Sequence, residues 1–162
     1  RAFGMHVTVW GSEASRAKAQ SEGCIPAPSR EAFFEACDVL SLHLRLCDET
    51  RGLIKLDDLT RMKPTALLVN TSRAELLEDV ALVTALNRGR PGMAAIDVFE
   101  SEPILQGHPL LRLENAVCTP HIGFVELDSY EQYFGAAFDN LTNFIAGTPT
   151  NIVNPEALRV HH

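Results

Sequence analysis

The sequence predicts an α/β protein built on a parallel β-sheet, and three observations carry that prediction. Short apolar, often β-branched runs recur at residues 6–10, 38–42, 66–70, 93–98 and 116–119. Helix-forming stretches lie between them and close on Gly or Pro. Strands that alternate with helices are the pattern of βαβ crossovers, which join parallel strands.

Each element has a local cause. His6-Val7-Thr8-Val9-Trp10 is a β-branched run that stops at Gly11-Ser12. Residues 13–22 are rich in Ala, Ser, Lys and Gln, which suits an exposed helix, and Gly23 is a natural stop. Pro26 and Pro28 read as loop. Ser29 is placed to N-cap a short apolar helix that carries Phe33 and Phe34, flanked by Glu31 and Glu35. Residues 38–42 form the next strand, with His43 just past its end, and residues 56–62 make a helical turn ahead of Pro64. The run at 66–70 is the kind expected of a strand covered on both faces. Residues 78–88 place Val80, Leu82, Val83 and Leu86 at helical spacing and end on Asn87-Arg88-Gly89. Residues 93–98 and 116–119 are further strands, the second stopped by Pro120. The last long element covers 127–146. Its residues Leu127, Tyr130, Phe134, Phe138, Leu141 and Ile145 form one apolar stripe, which reads as a packing face, and Gly147 and Pro149 end it.

Composition excludes several classes of protein. The chain has 162 residues, 46% of them hydrophobic and 22% charged, which are globular values. The formal net charge of −7 argues against nucleic acid as the main partner, because phosphate contacts need a basic face. No apolar run is long enough to span a membrane and no secretion leader opens the chain, so a cytoplasmic protein with no membrane partner is expected. The cysteines are Cys24, Cys37, Cys47 and Cys118. None forms a C-x-x-C pair or stands at zinc-site spacing from His, so reduced thiols and no metal site are expected. His161 and His162 look like the end of a purification tag and are set aside.

In open parallel sheets, ligands bind beyond the carboxyl ends of the strands. Those ends carry Gly11-Ser12, His43, Asn70-Thr71-Ser72-Arg73, Asp97 and Thr119-Pro120-His121. Arg73, Glu102 and His121 follow three of the strands and form a coherent chemical set. Imidazole exchanges a proton near neutrality, with an unperturbed pKa of about 6.5. A neighbouring carboxylate stabilises the imidazolium. An Arg presents a planar fork to a carboxylate or carbonyl oxygen. Such a set suits reversible reduction of an oxo acid. Singly, each residue also has a plain structural reading: Arg73 as a helix-start ion pair, Glu102 as a solvated turn residue, His121 as a turn cap. Asp97 is open between a turn cap and a ligand-amide acceptor. His43 more often satisfies backbone groups at a strand end than contacts a ligand. His6 and His108 carry no signal beyond surface or packing roles.

These residues also carry a family resemblance. Val69-Asn70-Thr71-Ser72-Arg73, Asp97-Val98-Phe99-Glu100-Ser101-Glu102-Pro103 and Thr119-Pro120-His121-Ile122-Gly123 resemble three signatures of the D-isomer-specific 2-hydroxyacid dehydrogenases. Ser41-Leu42-His43-Leu44, with Glu49-Thr50-Arg51-Gly52-Leu53-Ile54 and Met62-Lys63-Pro64, resembles a fourth. The resemblance implies a Rossmann-type, doubly wound parallel sheet over residues 1–125, incomplete at its N-terminus. Residues 126–160 would be a C-terminal helix and tail that return toward a substrate domain. It implies hydride transfer between NAD(P) and a small D-2-hydroxy acid or 2-oxo acid, in a cytoplasmic homodimer. His121 would be the acid/base, Glu102 its partner and Arg73 the substrate anchor. Asp97 would bind the nicotinamide carboxamide, and Ser12, His43, Asn70, Thr71, Ser72 and Gly123 would complete the cofactor site. A catalytically silent dinucleotide-sensing module of the same fold, or an inactive truncated fragment, is the alternative.

The chain also departs from the family pattern. Ala74 replaces the usual Gly after the Arg, which would restrict the backbone if φ were positive there. Gly11, followed by Ser12 and Glu13, stands where NAD-using members usually place Asp for the ribose 2′-hydroxyl. No basic pair replaces that Asp, and Arg16 is only a distant candidate for a 2′-phosphate, so the pattern favours NAD and leaves NADP open. The family's first strand, its G-x-G-x-x-G turn and its N-terminal substrate domain would all precede Arg1. Without that strand, residues 7–10 would have a neighbour on one side only.

Overall fold

A computed structural model describes residues 1–159; His161 and His162 lie outside them. In chain order the elements are β1 (Thr8–Val9), α1 (Glu13–Ser21), β2 (Ile25–Pro26), α2 (Arg30–Ala36), β3 (Val39–Ser41), α3 (Leu56–Arg61), β4 (Leu67–Asn70), α4 (Ala81–Asn87), β5 (Met93–Ile96), β6 (Ala116–Cys118) and α5 (Leu127–Ile145). Three 3-10 turns join them, at Ala74–Leu76, Pro109–Arg112 and Pro155–Arg159. All strand pairs are parallel. Strands β3-β4-β5-β6 form one sheet in sequence order, and β1 pairs with β2 in another. This is the α/β parallel arrangement that the strand–helix alternation predicts, Rossmann-like as the family resemblance implies. Among the described residues, β1 has β2 as its sole strand partner, as expected for residues 7–10.

The chain divides into a unit of residues 1–122, which holds both sheets, and a unit of residues 123–162, whose described part centres on α5. In the first unit the local signals act as read. Ser12 and Ser29 each accept a backbone N–H bond at the start of α1 and α2, from Ser15 at 3.2 Å and Ala32 at 3.1 Å. Gly23 takes φ +79° just after α1, a conformation that a side chain disfavours.

Three expectations change. Pro26 lies in β2 rather than in a loop. The ladder uses the N–H groups of Ile25 and Ala27, each 2.9 Å from Val7 and Val9 carbonyls, so the N–H that proline lacks is not needed. Helix α4 begins at Ala81, because Val80 adopts φ +53° and stays 70% exposed. The 66–70 run is not sealed on both faces. Its neighbours in register alternate: Leu40, Leu68, Ala94 and Ile96 are buried against α2, α3 and α4, whereas Val39, Met93 and Val117 on the other face are about half exposed. In the second unit, the α5 stripe lies on the surface of that unit. Leu127, Tyr130, Phe134, Phe138, Leu141 and Ile145 are all exposed.

The core therefore sits on one side of β3–β6 and gathers Phe34, Leu59, Met62, Leu68, Leu82, Ala85 and Leu86. Truncating a fully buried leucine such as Leu68 to Ala typically costs about 2–5 kcal/mol. At the base of β5, a Cβ on Gly92 would stand 1.9 Å from the Pro64 carbonyl oxygen, so only glycine fits there. A part-buried ion pair fixes the segment ahead of α3. Arg30 donates from Nε and Nη2 to the two Asp58 oxygens at 2.7 Å each, and Nη2 also meets the Leu53 carbonyl. The Lys55 N–H donates to Asp58 at 2.8 Å.

Candidate active site

The site is built from the turns that follow β4, β5 and β6. Asn70, the last residue of β4, is fully buried and folds the next turn. Its amide donates to the Arg73 carbonyl at 2.9 Å, and its side-chain oxygen accepts the Ser72 N–H at 3.0 Å. Ser72 donates to the Leu44 carbonyl at 3.1 Å, which ties this turn to the segment after β3. Arg73 leaves the turn extended and exposed, with Nη1 2.6 Å from the Ser72 carbonyl. The 3-10 turn behind it is pinned by Gly52 N–H to Glu75 O at 2.8 Å, Ile54 N–H to Leu76 O at 3.0 Å and Glu78 N–H to Ile54 O at 2.8 Å. That segment adjoins Leu53 and Lys55, which the Arg30–Asp58 pair holds. Ala74 is buried in the 3-10 turn and has no positive φ, so its methyl group creates no backbone strain.

Asp97 ends the strand side of β5 and is 5% exposed. Its Oδ1 accepts the Thr119 hydroxyl at 2.5 Å and the Ile122 N–H at 2.9 Å. Through these two bonds Asp97 braces the turn that presents His121. That turn needs bracing, because His121 takes φ +54°. The backbone continues the pattern, with Asp97 N–H to Asn70 O at 3.0 Å and Thr119 N–H to Ile96 O at 2.9 Å.

His121 and Glu102 meet here. His121 Nδ1 lies 2.7 Å from Glu102 Oε2, and Glu102 Oε1 accepts the Phe99 N–H at 3.0 Å. An ionised carboxylate can only accept, so Nδ1 carries the proton and Nε2 is the other ring position. The Phe99 N–H, then the His121 bond, and more distantly the charges of His121 and Arg73 hold the Glu102 carboxyl below its ordinary range. An open cavity of about 510 Å³ is lined by Phe99, Glu102, Pro103, Ile104, Pro120 and His121. The structure thus brings Arg73, Glu102 and His121 to one rim, as three strand ends predict.

The remaining candidates divide. Ser41 and His43, at the end of β3, bond each other at 2.8 Å, and Thr71 is exposed just past the end of the neighbouring strand β4. Asn70 and Ser72 spend their side chains on the turn itself. Ser12 caps α1 and bonds Ser15 Oγ at 2.9 Å, while Arg16 stacks its guanidinium 4.9 Å over the Trp10 ring. Gly123 falls in the second unit. One contributor carries no sequence signal: the Phe99 N–H, a backbone group, which holds Glu102.

The donor set fits a nicotinamide dinucleotide. Hydroxyl and imidazole groups of Ser41, His43 and Thr71 stand exposed at adjacent carboxyl ends, as a ligand rich in hydroxyls and amides requires. No helix among the described residues is long and apolar enough to cross a membrane.

Comparison with known proteins gives the family of the chain. The profile of the D-isomer specific 2-hydroxyacid dehydrogenase NAD-binding domain matches residues 1–123. A glyoxylate reductase of Aeropyrum pernix is 38% identical over 161 residues, covering 99% of this chain and 48% of its own length. A hydroxypyruvate reductase of Blautia hydrogenotrophica is 34% identical over 95% of this chain and 47% of its own. The chain spans about half the length of the curated relatives it matches. Among solved structures, an oxidoreductase of Ralstonia solanacearum assigned as a D-3-phosphoglycerate dehydrogenase is 64% identical. It superposes with a TM-score of 0.88, covering 98% of this chain and 46% of that one. A phosphoglycerate oxidoreductase of Vibrio cholerae is 52% identical with a TM-score of 0.83, over 90% and 47%. With the profile running through both sheets and the His121 turn, the chain belongs to the D-isomer-specific 2-hydroxyacid dehydrogenases, to their NAD-binding domain.

Proposed function

We propose that this chain serves NAD(P)-dependent interconversion of a small D-2-hydroxy acid and its 2-oxo acid. The observation that carries the reading is the His121–Glu102 pair at 2.7 Å beside Arg73, on the rim where three strands end. A bound nicotinamide supplies the hydride in one direction and accepts it in the other. This chain's residues handle the oxo acid and the proton. Arg73, extended and exposed, binds the substrate carboxylate. His121, its Nδ1 proton committed to Glu102, gives a proton from Nε2 to the carbonyl oxygen as that oxygen gains charge, and takes it back in oxidation. Glu102 orients the ring through its bond to Nδ1. Per turnover, one hydride and one proton add across the C=O bond.

Ser41, His43 and Thr71 hold the dinucleotide, and Asn70, Ser72 and Asp97 shape the turns around it. Gly11 at the end of β1 offers no carboxylate to a ribose hydroxyl, and no basic pair offers itself to a phosphate; NAD is the cofactor we propose. Relatives named as glyoxylate and hydroxypyruvate reductases support a small oxo acid as substrate. The exposed stripe of α5 supports a further substrate domain that packs on that helix. Free thiols at Cys24, Cys37, Cys47 and Cys118 support a reducing, cytoplasmic setting, and exposed apolar surface supports a homodimer. The complete pair and its Arg favour an enzyme over a silent binding module. The test is loss of NADH absorbance with glyoxylate or hydroxypyruvate. Turnover that His121→Gln abolishes supports the reading, and NADH binding without turnover on either acid contradicts it.

A further inference from the structure

We propose that His108 is a positioning residue for the Glu102–His121 pair and acts through Phe99. The proposal rests on the site described above and extends it by one shell. Glu102 is exposed, and the described hydrogen bonds hold it at two points, His121 and the Phe99 N–H. The direction of that N–H is set by the Phe99 backbone, which is set in turn by where the Phe99 ring is held. Phe99 is 6% exposed and belongs to the core. Its ring meets the edge of the His108 ring, with centroids 5.4 Å apart and planes at 72°, a favourable edge arrangement.

His108 is itself fixed on several sides. Its Nδ1 accepts the Leu110 N–H at 3.3 Å and caps the 3-10 turn Pro109–Arg112. Nε2 then carries the ring proton and donates to Glu100 Oε2 at 3.3 Å. Its own N–H reaches the Leu105 carbonyl at 2.9 Å, and its carbonyl accepts the Leu111 N–H at 3.1 Å. The β5–β6 loop thus carries two carboxylates that each meet a histidine: Glu100 meets His108 of the same loop, and Glu102 meets His121 of the turn after β6. The first pair makes a rigid wall for Phe99, and Phe99 holds the carboxylate of the second. A lone histidine before proline gives no hint of this in sequence.

The test reads the Glu102 carboxyl directly, by carbon NMR of glutamate-labelled protein, with its signal assigned by loss in Glu102→Gln. Three variants separate ring from cap: His108→Asn keeps a cap acceptor but removes the ring, His108→Phe keeps a ring but removes the acceptor, and His108→Ala removes both. In the unaltered protein Glu102 titrates below the ordinary glutamate range. The expected result is a rise toward that range in His108→Asn and His108→Ala, and a low value kept in His108→Phe. A Glu102 titration in His108→Asn equal to that of the unaltered protein overturns the proposal and leaves His108 a helix cap. A His108→Phe value as high as that of His108→Ala overturns it as well. None of these titrations needs turnover, so they stand apart from the fate of the functional reading, which NADH oxidation by His121→Gln decides.

Discussion

His121 Nδ1 and Glu102 Oε2 lie 2.7 Å apart, and the other oxygen of the same carboxylate is held by the Phe99 N–H at 3.0 Å. The two bonds aim the carboxylate at a ring whose backbone sits in the left-handed region. The pH consequence has a definite sign. The Glu102 pKa is lowered in the folded chain, first by Phe99 and then by His121. Its stabilising effect is present above the unfolded pKa and disappears as pH falls through the folded one. Glu102→Gln is therefore expected to flatten the acid side of the stability curve, read by urea unfolding across acidic pH. An unchanged acid profile contradicts the pairing.

Arg73 is predicted to govern substrate affinity more than cofactor affinity. Losing a charge-assisted hydrogen bond costs about 1.5–3 kcal/mol, or roughly 10- to 100-fold in binding. Arg73→Met should raise KM for the oxo acid by that factor while the Kd for NADH, read by fluorescence quenching, stays within about 3-fold, a difference of less than 1 kcal/mol.

Asp97 braces the His121 turn through Thr119 and Ile122. Asp97→Ala leaves a part-buried hydroxyl and a backbone N–H without this acceptor, at a cost below the about 1–3 kcal/mol that each would carry if fully buried. Both Tm and kcat should fall. A variant with wild-type Tm and kcat contradicts the bracing role.

The Arg30–Asp58 pair is the strongest polar tie outside the site. Burial pushes the Asp58 carboxyl up, but the Arg30 bonds and the Lys55 N–H outweigh it and leave the group below its ordinary range. Breaking one side of such a pair costs about 3–5 kcal/mol when fully buried and less here. Arg30→Met should lower the unfolding free energy measurably above the unfolded carboxylate pKa, and the difference should shrink as pH falls through the folded pKa of Asp58.

Gly92→Ala forces a Cβ to 1.9 Å from the Pro64 carbonyl oxygen. Overpacking of this kind typically costs about 1–3 kcal/mol. A thermal melt should show the loss, and a variant as stable as wild type contradicts the close approach.

Much of this was legible in the residues. Strand ends carry no side-chain periodicity to mislead, so Arg73, Glu102 and His121 could be placed together from their positions after β4, β5 and β6. Ser29 and Gly23 announced their caps by type. The misses have physical causes. Pro26 joined a strand because the ladder needs only alternate N–H groups. Val80 stays outside α4 because its positive φ, invisible in sequence, delays the start of the helix to Ala81. The side chains of Asn70 and Ser72 close the turn after β4, a role that only distances reveal.

The central claim is that His121 moves the proton. The most direct measurement is the rate of NADH oxidation with glyoxylate or hydroxypyruvate by wild type and His121→Gln, with NADH binding checked in both. Loss of at least ~100-fold in kcat, with NADH affinity kept, is the predicted result. A His121→Gln protein that binds NADH and turns over at the wild-type rate contradicts it.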